Sequence, residues 1–489
     1  MYSGKKWIWG LLVSFGIGLS SCETLTEVSK IKDGTDGTGT GTLHPSNNGQ
    51  SNETVNNWIY DNMYAYYLWG DQMAAKTATS LGKVPDEYFE SLLYRYGTVD
   101  RFSWIEEDAQ ALVESLQGVT KSAGFSYTPF LAAAGSKDVV FAVRYSIKDS
   151  PAALAGITRG DIITKVNGTT IDTLNYQSIL SSENLVLTLG ERSGTGIVST
   201  GKTVSLTKNV IQNFPVHFNK IIEAGGKKVG YIVYNQFIPG ITTNGVTNAQ
   251  FDNELRTIFG EFKAQGVSEL VLDLRFNGGG YISSSDVLSA LIVKNLKPGT
   301  LMSKQIWSTN ARAIFNEPES SYESYWRNEP NNLGNNLNRV FILTSGGTAS
   351  ASELVINNLK PFMEVILVGA NTYGKDVGSI TIDDSKNKYR WKWGLQPIVL
   401  RTVNALGQAD YGTKSGFTPD YPVTDNILPY KAFGDPSETL LKVALDKIAG
   451  ASATASARTA ASLALPALGQ GGGFDNPRNN IRDMYVDKH

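Results

Sequence analysis

The sequence predicts a multi-domain α/β protein, and three features predict it. From residue 211 onward, short apolar runs alternate with amphipathic ones, the pattern of stacked βα units. Residues 113–210 carry short strand-like runs separated by turn residues. Residues 54–112 are dense in aromatics at helical spacing. The chain has 489 residues, 41% hydrophobic and 18% charged, enough apolar material for several cores.

At the N-terminus, Lys5 and Lys6 precede the apolar run WIWGLLVSFGIGL (7–19), which is too short for a comfortable transmembrane helix. Leu19-Ser20-Ser21-Cys22 follows. This resembles a bacterial lipoprotein signal peptide over 1–22, in which Cys22 is lipidated. Cys22 is the sole cysteine, so no intrachain disulfide is possible. The lipid would anchor the exported protein to a membrane without spanning it. Residues 23–53 include the Gly/Thr/Asn-rich DGTDGTGTGTLHPSNNGQSNE and read as a tether.

The segment 54–112 reads as a helical N-terminal subdomain. PDEYFESLLYRYG (85–97) places Tyr88, Phe89, Leu92 and Leu93 at helical spacing, and such a stripe is expected to be core. Between the strand candidates VVFAVRY (139–145) and NLVLTLGER (184–192) lies DSPAALAGITRGDIITKVNGTTI. Pro151 opens a short helix, Gly156 closes it, and Gly160-Asp161 turns into a strand. The stretch 113–210 thereby resembles a PDZ domain. The resemblance implies that SAGFSYT (122–128) is the loop holding a peptide's terminal carboxylate, with Ala123, Gly124 and Phe125 as its contact residues. Gly124 would allow close approach, and the following strand would pair with the peptide.

Over 211–450 the expected strands are 227–237, SELVLDLRFNGGG (268–280) ending in a glycine turn, NRVFILTSGG (338–347) as another such strand, and 364–370, and FDNELRTIFGEFKAQG (251–266) is an amphipathic helix. Serines 283–285 are expected only to cap the helix they begin. Residues 451–489 read as a low-complexity tail without chemistry.

The chemistry centres on ILTSGGTASASELV (342–355). Ser350-Ala-Ser-Glu353 fits a helix capping box. Yet the surrounding Gly346, Gly347, Ala349 and Ala351 leave room for a substrate backbone, which a cap does not require. A serine at a helix N-terminus also sits beside amides that can stabilise an oxyanion. NGGG (277–280) offers a second amide turn, and TYGK brings Lys375 to the end of a neighbouring βα unit.

Together, DRFSWI (100–105), the PDZ stretch, LVLDLRFNGGG, GGTASASE, TYGK and GFTPDYPV (416–423) resemble the C-terminal processing peptidases, or tail-specific proteases. The resemblance covers roughly 54–450. It implies an α/β ClpP/crotonase-like peptidase core after the helical subdomain and the β-rich PDZ domain. It further implies Ser350 as nucleophile and Lys375 as general base. The oxyanion donors would be the backbone N–H of Ala351 and of Gly279 or Gly280. A lysine base must be neutral, and burial away from carboxylates favours that form. The chain departs from the family where a glutamine usually orients the lysine. Ser379 stands there, a shorter hydrogen-bonding group.

The implied activity is serine-type endopeptidase cleavage of proteins or peptides with exposed C-termini, in the bacterial envelope. The alternative is a peptide-binding lipoprotein on the same fold that no longer cuts. No cofactor or metal is expected, because the three histidines, His44, His217 and His489, offer no site pattern. A net charge of −2 argues against nucleic acid.

Overall fold

The computed structural model describes residues 45–450, 464–468 and 484–485. The signal segment with Cys22 and the tether up to residue 44 lie outside the described residues. Among the described residues, no helix is long and apolar enough to cross a membrane.

The N-terminal region contains α1 (Asn52–Tyr66), α2 (Pro85–Leu92), β1 (Trp104–Glu106) and α3 (Ala109–Leu116). Ser51 caps α1 by accepting the Thr54 N–H at 3.2 Å, and Pro85 opens α2 where its missing N–H costs nothing. Val55, Ile59, Met63, Tyr88 and Phe89 are buried with Trp391, Trp393 and Leu395. The aromatic stripe is therefore core, and its partner comes from the far end of the chain. β1 was not expected within a helical region. It forms because it pairs with residues 394–396.

Next comes an antiparallel module of β2 (Phe125–Leu131), β3 (Val139–Ser146), the short α4 (Pro151–Leu154), β4 (Ile162–Val166), β5 (Asn184–Ser193) and β6 (Gly196–Thr207). The strands lie in the order β2-β3-β4-β5-β6, so β2 is outermost. Phe125, Phe141, Ile163 and Leu187 share its core.

The remaining elements are β7 (Val216–Ala224), β8 (Lys227–Tyr234), α5 (Gln250–Ala264), β9 (Glu269–Asp273), β10 (Gly280–Tyr281), α6 (Ile282–Ile292), β11 (Leu301–Trp307), α7 (Thr309–Phe315), β12 (Glu323–Tyr325), β13 (Arg339–Thr344), α8 (Ala351–Leu359), β14 (Glu364–Gly369), β15 (Val377–Ser379), β16 (Gly394–Gln396), β17 (Ile398–Asn404), β18 (Tyr421–Pro422), α9 (Thr439–Ile448) and β19 (Met484–Tyr485). One six-stranded sheet runs β7-β8-β9-β13-β14-β18, parallel from β8 onward. Its strand residues alternate between two cores. Leu270, Leu272, Val340 and Ile342 face Phe259, Leu291 and Val355 of α5, α6 and α8. Val271, Phe341 and Leu343 face Leu440, Leu441 and Ala444 of α9. A parallel sheet needs both faces covered, and these helices cover them.

The second six-stranded sheet runs β10-β19-β15-β17-β11-β12. Here β10 and β15 meet only through β19, a piece of the tail.

Two further details differ from the sequence-based expectation. The cap position of α6 is Tyr281, with no side-chain cap, and Ser285 Oγ donates back to Ile282 O at 2.7 Å. And part of the tail is ordered against the rest of the protein at 464–468 and 484–485.

Candidate functional site

Strands β9 and β13 are neighbours, with Asp273 opposite Leu343. Their C-terminal ends release two turns side by side, where α/β sites commonly form. Asn277 stitches the turns together. Its Nδ2 donates to Tyr234 O at 2.9 Å, and its Oδ1 accepts the Gly279 N–H at 2.9 Å. Its carbonyl accepts from Ala349 N–H at 3.2 Å and from Ser352 Oγ at 3.0 Å. Gly280 has φ +136°, and a Cβ there would lie 2.1 Å from Phe237 O, so only glycine fits.

Ser350 is fully buried at the start of α8, with φ 64° and ψ −117°, a conformation most non-glycine residues avoid. Among the described residues its Oγ has no hydrogen-bond partner, although Ser350 and Glu353 stand in the capping-box arrangement. The two opening serines thus differ: Ser352 is a structural tie, whereas Ser350 holds an uncommitted hydroxyl. Ala351 supplies the first amide of the helix, a position with no intrahelical acceptor.

Glu353, one turn into α8, does more than cap a helix. One carboxylate oxygen, Oε2, accepts the Ser350 N–H and the Lys375 N–H, each at 2.9 Å. Oε1 accepts Gly374 N–H at 2.7 Å and Thr372 Oγ1–H at 2.5 Å. The serine turn and the lysine turn are thereby fixed to one carboxylate. Burial raises the Glu353 pKa to about 7, while the bonds from Thr372, Lys375, Gly374 and Ser350 pull the other way.

Lys375 is only 1% exposed. Its Nζ lies 5.1 Å from the centre of the Phe102 ring. Phe102 belongs to the DRFSWI stretch, and Arg101 beside it donates to Gly374 O at 2.6 Å. The N-terminal region thus covers the lysine turn. Asp376 is engaged elsewhere, pairing with Arg401 at 3.0 Å. Ser379 Oγ accepts from Gln396 Nε2 at 2.9 Å and donates to Met484 O at 3.2 Å. A glutamine amide therefore does reach this position, from β16 rather than from the lysine segment.

In the antiparallel module, Ala123 and Phe125 are fully buried and Gly124 has φ +85°. The Gly124 N–H is given to Ser122 Oγ at 2.8 Å. A Cβ at Gly124 would lie 2.2 Å from Ser150 Cβ, so close packing against α4 already demands glycine. His217 is packed on Tyr145 and Phe433, and burial, with Arg159 nearby, lowers its pKa to about 4. It stays neutral in the neutral pH range. His44 and His489 lie outside the described residues. Among the described residues, no cluster of three or more His, Cys, Asp or Glu could hold a metal.

Behind the first turn, Arg275 is buried and pairs with Asp273 at 2.7 Å, Glu438 at 2.7 Å and Asp425 at 2.8 Å. Arg159 of the antiparallel module reaches the same Glu438 at 3.2 Å.

Sequence reasoning missed Phe102, Asn277, Gln396 and the linking role of Glu353. Glu353 left a partial signal in the capping box, and Asn277 left one in its glycine turn. Phe102 and Gln396 left none, because their partners are distant in sequence.

A PDZ-like module joined to a two-sheet α/β domain, with a strained serine turn latched to a buried lysine's turn, defines a PDZ-bearing protein of the serine-peptidase type. Comparison with known families agrees. Peptidase family S41 matches residues 228–423, the Peptidase S41 N-terminal domain matches 54–104, and a PDZ domain matches 143–189. The chain belongs to peptidase family S41. A carboxyl-terminal-processing protease of Picosynechococcus is 26% identical over 315 residues, 63% of this chain and 66% of the relative. The chloroplastic C-terminal processing peptidase of Tetradesmus obliquus is 26% identical over 310 residues, 60% of this chain and 58% of the relative. The matches thus span less than two thirds of these relatives' lengths. The crystal structure of a putative S41 protease from Bacteroides fragilis superposes with a TM-score of 0.67 at 28% identity, covering 80% of this chain and 97% of that one.

Proposed function

We propose that the protein is a serine endopeptidase that cuts unfolded protein or peptide chains near their C-terminal tails, using Ser350 and Lys375. One observation carries this reading. A single Glu353 oxygen accepts both the Ser350 and the Lys375 amide, while Ser350 Oγ has no hydrogen-bond partner among the described residues. A helix cap alone would use that hydroxyl.

In the proposed reaction, Ser350 Oγ attacks the scissile carbonyl and Lys375 Nζ takes its proton. The tetrahedral oxyanion is received by Ala351 N–H and Gly280 N–H. The Gly279 N–H is held by Asn277, whereas Gly280 pairs with Met484 of β19 and becomes open to an oxyanion once that strand is displaced. Lys375 returns the proton to the leaving amine as the C–N bond breaks. Water then hydrolyses the acyl-enzyme by the same route. Phe102 keeps the ammonium region away from bulk water, and the Gln396–Ser379 pair positions the strand beside the lysine. The module carrying Ala123, Gly124 and Phe125 recruits the tail. Export and lipidation at Cys22 rest on the sequence pattern alone and place this activity in the bacterial envelope.

The test is hydrolysis of casein by wild type, Ser350→Ala, Lys375→Ala and Ser352→Ala. We expect the first two variants to lose activity by at least roughly 10³-fold and Ser352→Ala to keep most of it. Equal activity in all four would overturn the assignment. Equal inactivity with intact folding would favour a peptide-binding role.

A further inference from the structure

Two places where a peptide could add a strand are occupied by the chain itself. Residues 464–468, Ala-Leu-Pro-Ala-Leu, lie antiparallel to the outer edge of β2, with Phe130 opposite Ala467. Leu131 N–H donates to Pro466 O at 2.9 Å, and Leu468 N–H donates to Pro129 O at 3.0 Å. Leu468 packs on the PDZ core, and Leu465 packs with Phe130 and Tyr430. The tail reaches this edge from a tie on the peptidase side, where Leu465 N–H donates to Asn426 O at 3.1 Å.

The second place is the slot between β10 and β15. One edge follows the NGGG turn and the other follows Lys375. β19 fills it, pairing in parallel with both: Gly280 opposite Met484, Tyr281 and Ser379 opposite Tyr485. The Met484 side chain is fully buried against Ile282 and Leu354, the latter one helical turn beyond Ser350. Just past the ends of β10 and β15 a cavity of about 520 Å³ opens, lined by Tyr281, Thr381, Trp58, Tyr66 and Ile382. A peptide following the direction of β19 would enter it.

We propose that this C-terminal segment is a built-in competitor, an intramolecular ligand that an incoming substrate must displace from both the PDZ edge and the catalytic slot. For the slot, this rests on the proteolytic reading given above. Each strand edge offers one row of hydrogen-bonding groups, so two peptides cannot share it. The occupant also describes the substrate that replaces it: an extended stretch with an apolar side chain for the Ile282–Leu354 pocket. Tethering raises the local concentration of the competitor far above that of a free peptide.

The experiment measures binding rather than cleavage, so it does not depend on catalysis. A fluorescent peptide with the sequence of residues 464–489 is titrated into full-length Ser350→Ala protein. The same titration is made with Ser350→Ala carrying Leu468→Asp and Met484→Asp, and with Ser350→Ala ending at residue 463. The charged side chains should eject the tail. We expect affinity to rise roughly tenfold or more in both altered proteins. The truncated chain guards against misfolding of the charged one. Unchanged or weaker binding by the truncated chain, shown folded by its thermal transition, would overturn the proposal even if the wild type cuts casein. Failure of casein cleavage with the affinity gain intact would instead sink only the proteolytic reading.

Discussion

Glu353 and Glu438 are both buried acids that hold distant segments together, but they are held in different ways. Glu438 sits against Arg275 and Arg159. Burial works against its ionisation, yet the two guanidinium groups outweigh that and keep its pKa below the ordinary range. Arg275 is held charged in turn. Burial opposes its charge, but Asp273, Glu438 and Asp425 override it. Glu353 has no cation among its hydrogen-bond partners. It is surrounded by three amides and one hydroxyl, and its pKa rises to about 7. The ion cluster fixes the scaffold and the PDZ module through the neutral range, where Glu438 and Arg275 are held charged. The neutral-donor cluster fixes the two turns of the site and responds to pH.

The largest effect should follow from breaking the ion cluster. Arg275→Met leaves Asp273, Asp425 and Glu438 crowded without their buried cation. A loss of about 3–5 kcal/mol in urea unfolding is expected. A loss below roughly 1 kcal/mol would mean the cluster is solvated and the contrast is false.

Glu353→Gln should be milder for stability and severe for function. An amide nitrogen would face N–H donors, at a cost of about 1–3 kcal/mol, while casein hydrolysis falls by more than roughly a hundredfold. If hydrolysis survives, the shared carboxylate does not position the turns.

The pH response comes third. A raised acid pKa means that folding favours the protonated form. The stability Glu353 contributes is present below about 4.5 and lost as pH rises through about 7. Glutamine cannot titrate. The stability of wild type relative to Glu353→Gln should therefore shrink by roughly 1–3 kcal/mol between pH 5 and pH 8. A constant difference across that range would count against the contrast.

The smallest effect belongs to Ser352→Ala. Its bond to Asn277 O is lost, but Ala349 N–H still satisfies that carbonyl. About 1 kcal/mol is expected, with hydrolysis reduced by no more than several-fold. A complete loss of activity would reverse the roles given to the two serines.

These contrasts also explain what was legible in the sequence. The βα repeats were readable because strand alternation and helix periodicity are local patterns. Ser350, Ala351 and the NGGG turn were readable because close approach of backbones needs small residues in a row. Glu353 was visible only as a cap, since spacing reveals its bond to Ser350 but not those to Thr372, Gly374 and Lys375. The Gln396–Ser379 contact and the cover by Phe102 depend on β1 pairing with β16, Trp104 opposite Gln396, across more than half the chain. No local rule encodes such a pairing. The tail misled for a related reason. Its composition is that of a linker, and only an edge strand elsewhere gives Leu465 and Leu468 something to bury against.

The slot between β10 and β15 has one more consequence. These two strands belong to the same sheet only while a third strand lies between them. An occupying peptide is thus a missing architectural part as well as a ligand, and the catalytic half of the molecule has a seam along which it is completed. A target still folded into its own sheet has its backbone groups already paired and cannot serve as that part. Selection for unfolded ends would then need no separate recognition device, because the seam accepts only a chain that has no partner of its own.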